Sequence, residues 1–165
     1  MTDPGKLTLA VPTDREIVLA RAFEAPRGLV FEAFTRPALL ERWLRGPPRS
    51  CLVVCDVDLR VGGAYRFVWR LPDGGDMGVG GVYREVARPE RTVHTERFDR
   101  PAYPGEALVT LSLAESGGRT TARTTIRYES RQARDLALRS GKQVAFAADF
   151  PRLDEVLAAD AAPLA

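Results

Sequence analysis

Apolar and polar positions alternate in REIVLARAF (15–23), with Ile17, Leu19, Arg21 and Phe23 on one parity and Val18, Ala20 and Ala22 on the other. A period of two predicts a first strand. The spacing then lengthens. In APRGLVFEAFT, Val30, Phe31 and Phe34 form an apolar stripe behind Pro26, a residue suited to a first helical turn. RPALLERWL repeats the arrangement with Leu39, Leu40, Trp43 and Leu44, so two short helices are predicted in tandem. From 51 to 129 the period returns to two, predicting strands near 51–58, 63–70, 77–87, 91–98, 107–114 and 120–128. RVGG, PDGGD, ARPE, RPAYPGE and ESGG separate them with turn-forming residues, and connections this short join antiparallel neighbours. With the first strand, the sheet has about seven.

The stretch SRQARDLALRSGKQVAFAADFPRLDEVLAA is again helical in spacing, with Ser130 as a cap and Phe146, Phe150, Leu153 and Leu157 on one face. That face needs a large apolar surface, and the sheet is the surface on offer. Gly141 weakens the helix near its start, and Pro151 is expected to kink or break it through its missing N–H and bulky ring. The pattern as a whole predicts an α+β domain over residues 15–160, between a leader at 1–14 and a tail at 161–165. A curved antiparallel sheet would close around a long C-terminal helix and leave room between them.

That room directs attention to GAYRFVWR, where Tyr65, Phe67 and Trp69 oppose Ala64, Arg66, Val68 and Arg70. Arginines normally face water, so the aromatic set is expected inside, either as solid core or as the wall of a small-molecule site. RTVHTERF holds the chain's one histidine. Thr92, His94, Glu96 and Phe98 share a face and Arg91, Val93, Thr95 and Arg97 share the other; alternation alone leaves open which of them is inside. With the first set inside, His94 and Glu96 lie about 7 Å apart along the strand and flank one ligand. The glycines of GDMGVGG sit between strands and read as curvature or a bulge rather than as a dinucleotide loop. Asp56 and Asp58 share a strand face, which a strand ending at a turn explains as well as a carboxylate pair does. Cys51 and Cys55, four apart on a strand, share a face about 13 Å apart; that is too far for a disulfide, and they read as free thiols in the core.

Composition narrows the classes. A length of 165 residues suits one domain, long enough to need no disulfide or metal staple. The 24 Lys and Arg nearly balance the 22 Asp and Glu, and no polybasic block is present, which argues against a nucleic-acid partner. No run of about twenty apolar residues offers a membrane span, and the N-terminus has no signal-peptide core, so a cytoplasmic location is expected. Serine-nucleophile, phosphate-loop and zinc-protease motifs are lacking, and neither a metal nor a cofactor is expected.

FEAPRGLVFEAFTRPALLERWL, DVDLRVGGAYRFVWRLPDG, GVYREVARPERTVHTERF, PGEALVTLSLAE and SRQARDLALRSG together resemble the family named after the activator of heat shock protein 90 ATPase, within the START-like, or SRPBCC, superfamily. The resemblance runs from about residue 15 to 159. It implies a helix-grip fold, in which two short helices follow the first strand and a long C-terminal helix lies over a cavity. Relatives in the superfamily include lipid and sterol carriers, hormone receptors, polyketide cyclases and a co-chaperone, and the family's name carries a link to stress response. Where relatives tend to have methionine early in the last helix this chain has Lys142, and Pro151 falls where they run straight through. The expected partner is a small hydrophobic or amphipathic molecule, with a homodimer left open. Its walls would be Trp43, Tyr65, Phe67, Trp69 and Phe146, and its polar contacts Tyr83, His94 and Glu96. A cyclase or dehydratase using His94 with Glu96 or Tyr83, and a protein-interaction module, stand as alternatives.

Overall fold

The structure, a computed structural model, describes residues 5–161. Residues 1–4 of the expected leader and 162–165 of the expected tail lie outside the described residues. The described chain runs β1 (Thr8–Ala10), β2 (Glu16–Phe23), α1 (Arg27–Thr35), α2 (Pro37–Trp43), β3 (Cys51–Val57), β4 (Ala64–Arg70), β5 (Asp76–Ala87), β6 (Arg91–Phe98), β7 (Ala107–Ser116), β8 (Arg119–Arg127), α3 (Arg131–Ser140), α4 (Lys142–Ala147) and α5 (Phe150–Ala161). The strands form one antiparallel sheet of order β1-β2-β8-β7-β6-β5-β4-β3. It holds eight strands, one more than the alternation predicts. The extra strand is β1, three exposed residues added to the edge of β2 within the stretch expected as leader.

From β3 to β8 each strand pairs with the next in the chain, as short turns require. The connection that carries α1 and α2 takes the chain from β2 to the far edge at β3. Both helices pack against α5, and with β2 they build a core of Phe23, Phe31, Trp43, Phe150 and Leu153, in which the Phe23 and Phe150 rings meet edge to face. A second core, formed by Ile17, Val109, Ile126, Ala133 and Ala137, lies under α3. A cavity is left between the two.

The C-terminal helical stretch lies over the sheet and is jointed. Ser130 caps α3 as the sequence suggests, its Oγ accepting from the Ala133 N–H at 3.0 Å. Gly141 ends α3 in the left-handed region (φ 70), where a side chain would be strained. The second break falls at Ala148 and Asp149, just ahead of Pro151. Pro151 lacks the N–H that would have bonded to Ala147, so it stands in the first turn of α5, where no such bond is needed, and does not kink that helix.

Cys51 and Cys55 do not share a face. A bulge at Val53 shifts the register, so Cys51 pairs with Arg70 on the outer face and is exposed, while Cys55 pairs with Phe67 on the inner face. Cys51 is therefore not a core thiol. No helix among the described residues is long and apolar enough to cross a membrane.

Candidate functional site

The cavity has a volume of about 280 Å³ and lies between the inner face of the sheet and the helices α1, α2 and α4. β4 supplies Tyr65, Phe67 and Trp69 to its wall, and the outward Arg66 and Arg70 pair with Asp99 and Asp76. Alternation on a strand with a charged outer face fixes this choice. Trp43 comes from α2 and Phe146 from α4, their rings 5.9 Å apart. Both indole N–H groups are satisfied by backbone carbonyls, Trp43 by Ala33 at 2.9 Å and Trp69 by Leu44 at 3.2 Å. Only their apolar surfaces remain for the cavity.

On β6 the parity left open by the sequence is resolved: Thr92, His94, Glu96 and Phe98 line the cavity, and Arg91 and Arg97 face solvent. All eight residues singled out from the sequence, Trp43, Tyr65, Phe67, Trp69, Tyr83, His94, Glu96 and Phe146, line this one cavity. Asp56 and Asp58 do not. Asp56 pairs across the outer face with Arg66, and Asp58 holds Arg60 in the turn that follows.

The polar groups gather at one end. The Thr95 carbonyl accepts from Tyr65 Oη at 2.8 Å and from His94 Nδ1 at 3.0 Å. Because a carbonyl only accepts, Nδ1 carries the proton and the neutral ring presents Nε2 as an acceptor. Thr95 is placed for this by β5, since a side chain at Gly81 would run into the Thr95 carbonyl. Burial pushes His94 down to about 4, the Thr95 bond offsetting part of the fall, so the ring is neutral at neutral pH. Glu96 faces the cavity rather than bulk solvent, and desolvation raises it to about 7 against the smaller opposing effects of Tyr103 and Lys142. Burial likewise pushes Tyr83 up to about 12.

Three contributors were not legible as site residues. Tyr103, from the β6–β7 connection, donates to Glu96 Oε1 at 3.4 Å; Tyr128 follows β8 and stacks edge to face with Tyr103; Gln143 from α4 donates to Tyr128 Oη at 3.1 Å. Tyr128 extends the parity of Ile126 and could have been found by continuing the alternation. Tyr103 lies in a loop without periodicity, and nothing in the sequence marks it. Lys142, noted in the sequence only as a departure, stands with its Nζ 3.9 Å above the Phe98 ring.

A curved antiparallel sheet holding helices over a partly polar cavity defines a helix-grip protein. The chain belongs to the family described as Activator of Hsp90 ATPase homolog 1-like protein, whose pattern it matches over residues 24–158. Among solved structures it is similar to a protein from Rhodobacter sphaeroides, 29% identical, with 93% of this chain and 99% of that one covered at a TM-score of 0.85. A protein from Nitrosomonas europaea is 25% identical, covering 91% of this chain and 98% of that one at a TM-score of 0.78. An Hsp90 activator from Plasmodium falciparum shares the fold at 19% identity and a TM-score of 0.61, over 82% of this chain and 93% of that one. No curated protein matches the chain in sequence.

Proposed function

We propose that the protein binds a small apolar or amphipathic molecule in the cavity between sheet and helices. The observation that carries the reading is an aromatic-walled cavity of about 280 Å³ with its polar groups collected at one end. Sites for small molecules have this form, with an apolar wall for affinity and a few placed polar atoms for orientation. A cavity of about 150 Å³ accepts a benzene ring, so this one suits a molecule of about two rings. Trp43 and Trp69, the chain's two tryptophans, both lie in the wall, so their fluorescence reports on the cavity alone. Native mass spectrometry of the purified protein, followed by thermal-shift and fluorescence screening against fatty acids, sterols, flavonoids and aromatic polyketides, tests the reading. A bound mass, or a rise in melting temperature with a change in tryptophan emission, is expected. No response to any class would turn the reading toward a protein-interaction module.

A second reading, a cyclase or dehydratase, is favoured by one observation: His94 and Glu96 present unbonded acceptor atoms to the same cavity, and Glu96 is held near 7. A carboxyl near neutrality can take or give a proton during turnover. Changing His94 to Gln separates the two. A carrier keeps most of its binding, whereas an acid–base catalyst loses about 10²-fold or more in rate.

A further inference from the structure

The polar end of the cavity presents acceptor atoms that have no donor, beside the hydroxyls of Tyr83 and Tyr128 and the Lys142 ammonium. Neutral His94 uses Nδ1 on Thr95 and leaves Nε2 without a partner among the described residues. Glu96 Oε1 receives one long bond of 3.4 Å from Tyr103, and Oε2 receives none. Gln143 is 6% exposed, and its Nε2 donates both to Tyr128 Oη and to the Ala137 carbonyl, each at 3.1 Å. The Ala137 carbonyl can only accept, which fixes the amide orientation and leaves Oε1 buried with no donor. His94 Nε2 and the Glu96 carboxyl, both on β6, therefore face the cavity as acceptors, apart from a protonated Glu96, while Gln143 Oε1 is closed off from it.

Lys142 and Glu96 bring opposite charges to this end, so an ionic head of either sign meets a like charge as well as an opposite one. An anion meets Glu96 and the bare His94 Nε2 acceptor. A cation meets Lys142, whose charge already acts on Glu96. A buried acceptor opposite an apolar group keeps its full desolvation cost, so an ether or alkyl head fits poorly.

We propose that the ligand is a neutral molecule of about two rings with hydroxyl donors at one end, the donors meeting His94 Nε2 and Glu96. Its body lies against Phe67, Trp69 and Phe146. The inference rests on the reading of the cavity as a ligand site and specifies the head group that this site takes.

The test uses four probes with one body and different heads: para-phenylphenol, its methyl ether, biphenyl carboxylate and biphenylmethylammonium. Each is titrated at neutral pH against the full chain, with tryptophan fluorescence and thermal shift as readouts. The phenol is expected to bind at least about tenfold more tightly than each of the others. Glu96→Gln and His94→Phe are each expected to weaken the phenol by about threefold or more and to leave the ether nearly unchanged. An ether, carboxylate or ammonium that binds as tightly as the phenol overturns the donor-head assignment and leaves the cavity as a site. If none of the four binds, the assignment of a two-ring ligand with a donor head fails, while the cavity reading falls only if the wider screen is also silent.

Discussion

Glu96→Gln removes a buried ionisable group while keeping its shape, and its effect should depend on pH in a definite direction. Desolvation raises Glu96 from the ordinary 4.5 to about 7, so between those values the folded chain holds a proton that the unfolded chain has lost. Stability contributed by the protonated carboxyl is fully present below the unfolded value and is lost as pH rises through the folded one. The gap of about 2.5 pH units corresponds to about 3 kcal/mol above pH 8, at about 1.4 kcal/mol per unit. Glutamine carries no charge and escapes this loss. Urea unfolding of both proteins from about pH 5 to about pH 8.5 should show the variant gaining about 2.5 kcal/mol on the parent across the range. A difference in stability that stays constant with pH would refute the claim that the carboxyl is desolvated in the cavity. The same variant tests the donor assignment at fixed pH, so one protein addresses both the electrostatics and the recognition.

His94→Phe has the opposite pH signature. His94 falls from 6.5 to about 4 on burial, so the parent loses stability as pH drops through that window, by about 3 kcal/mol in full, and the variant should lose much less in an unfolding series carried down to about pH 4. Gly81→Ala drives a methyl group into the Thr95 carbonyl and should cost about 1–3 kcal/mol in denaturant unfolding, with a weakened thermal shift for any cavity ligand. A cost below about 0.5 kcal/mol would mean the two strands part easily there. Asp149→Ala removes the acceptor that meets the Arg45 and Gly46 N–H groups at 3.0 Å each, and should cost about 2 kcal/mol by the same measurement.

Much of the fold was legible because each strand from β2 to β8 carries its own alternation and each turn its own glycine or proline. The failures occur where that signal is missing. β1 has no buried side to set a period, all three of its residues being exposed. A bulge has no sequence period either, so the extra residue at Val53 silently moved Cys51 to the outer face. On β6 both parities carry buried residues, Thr92 with Val93 and Thr95, and alternation could not name the inner one. The answer lay on other strands, in the Tyr65 ring 4.7 Å from His94 and the approach of β5 at Gly81. The aromatic wall was legible for a simpler reason: Arg66 and Arg70 on the opposite parity require Tyr65, Phe67 and Trp69 to turn inward.

The hollow follows from the polar residues that sequence reading found hardest to place. Two apolar cores flank the cavity, one under α1, α2 and α5 and the other under α3, and continuous packing would join them. Between them the roof offers Lys142 and Gln143, and the floor offers His94 and Glu96. Collapse would press these groups together in a dry interior, where each unpaired acceptor costs about 1–3 kcal/mol and a charge costs more. Dispersion gained by closing the gap would have to exceed that sum, and the aromatic groups on either side are already held by Ala33, Leu44 and Thr95 through the Trp43, Trp69 and Tyr65 hydrogen bonds. Of the groups that keep the cavity open, His94 and Glu96 are those left to meet a ligand's donors. A variant with Glu96, Gln143 and Lys142 all replaced by leucine should therefore fold with a filled interior and lose binding of para-phenylphenol, while gaining stability in proportion to the apolar area it buries.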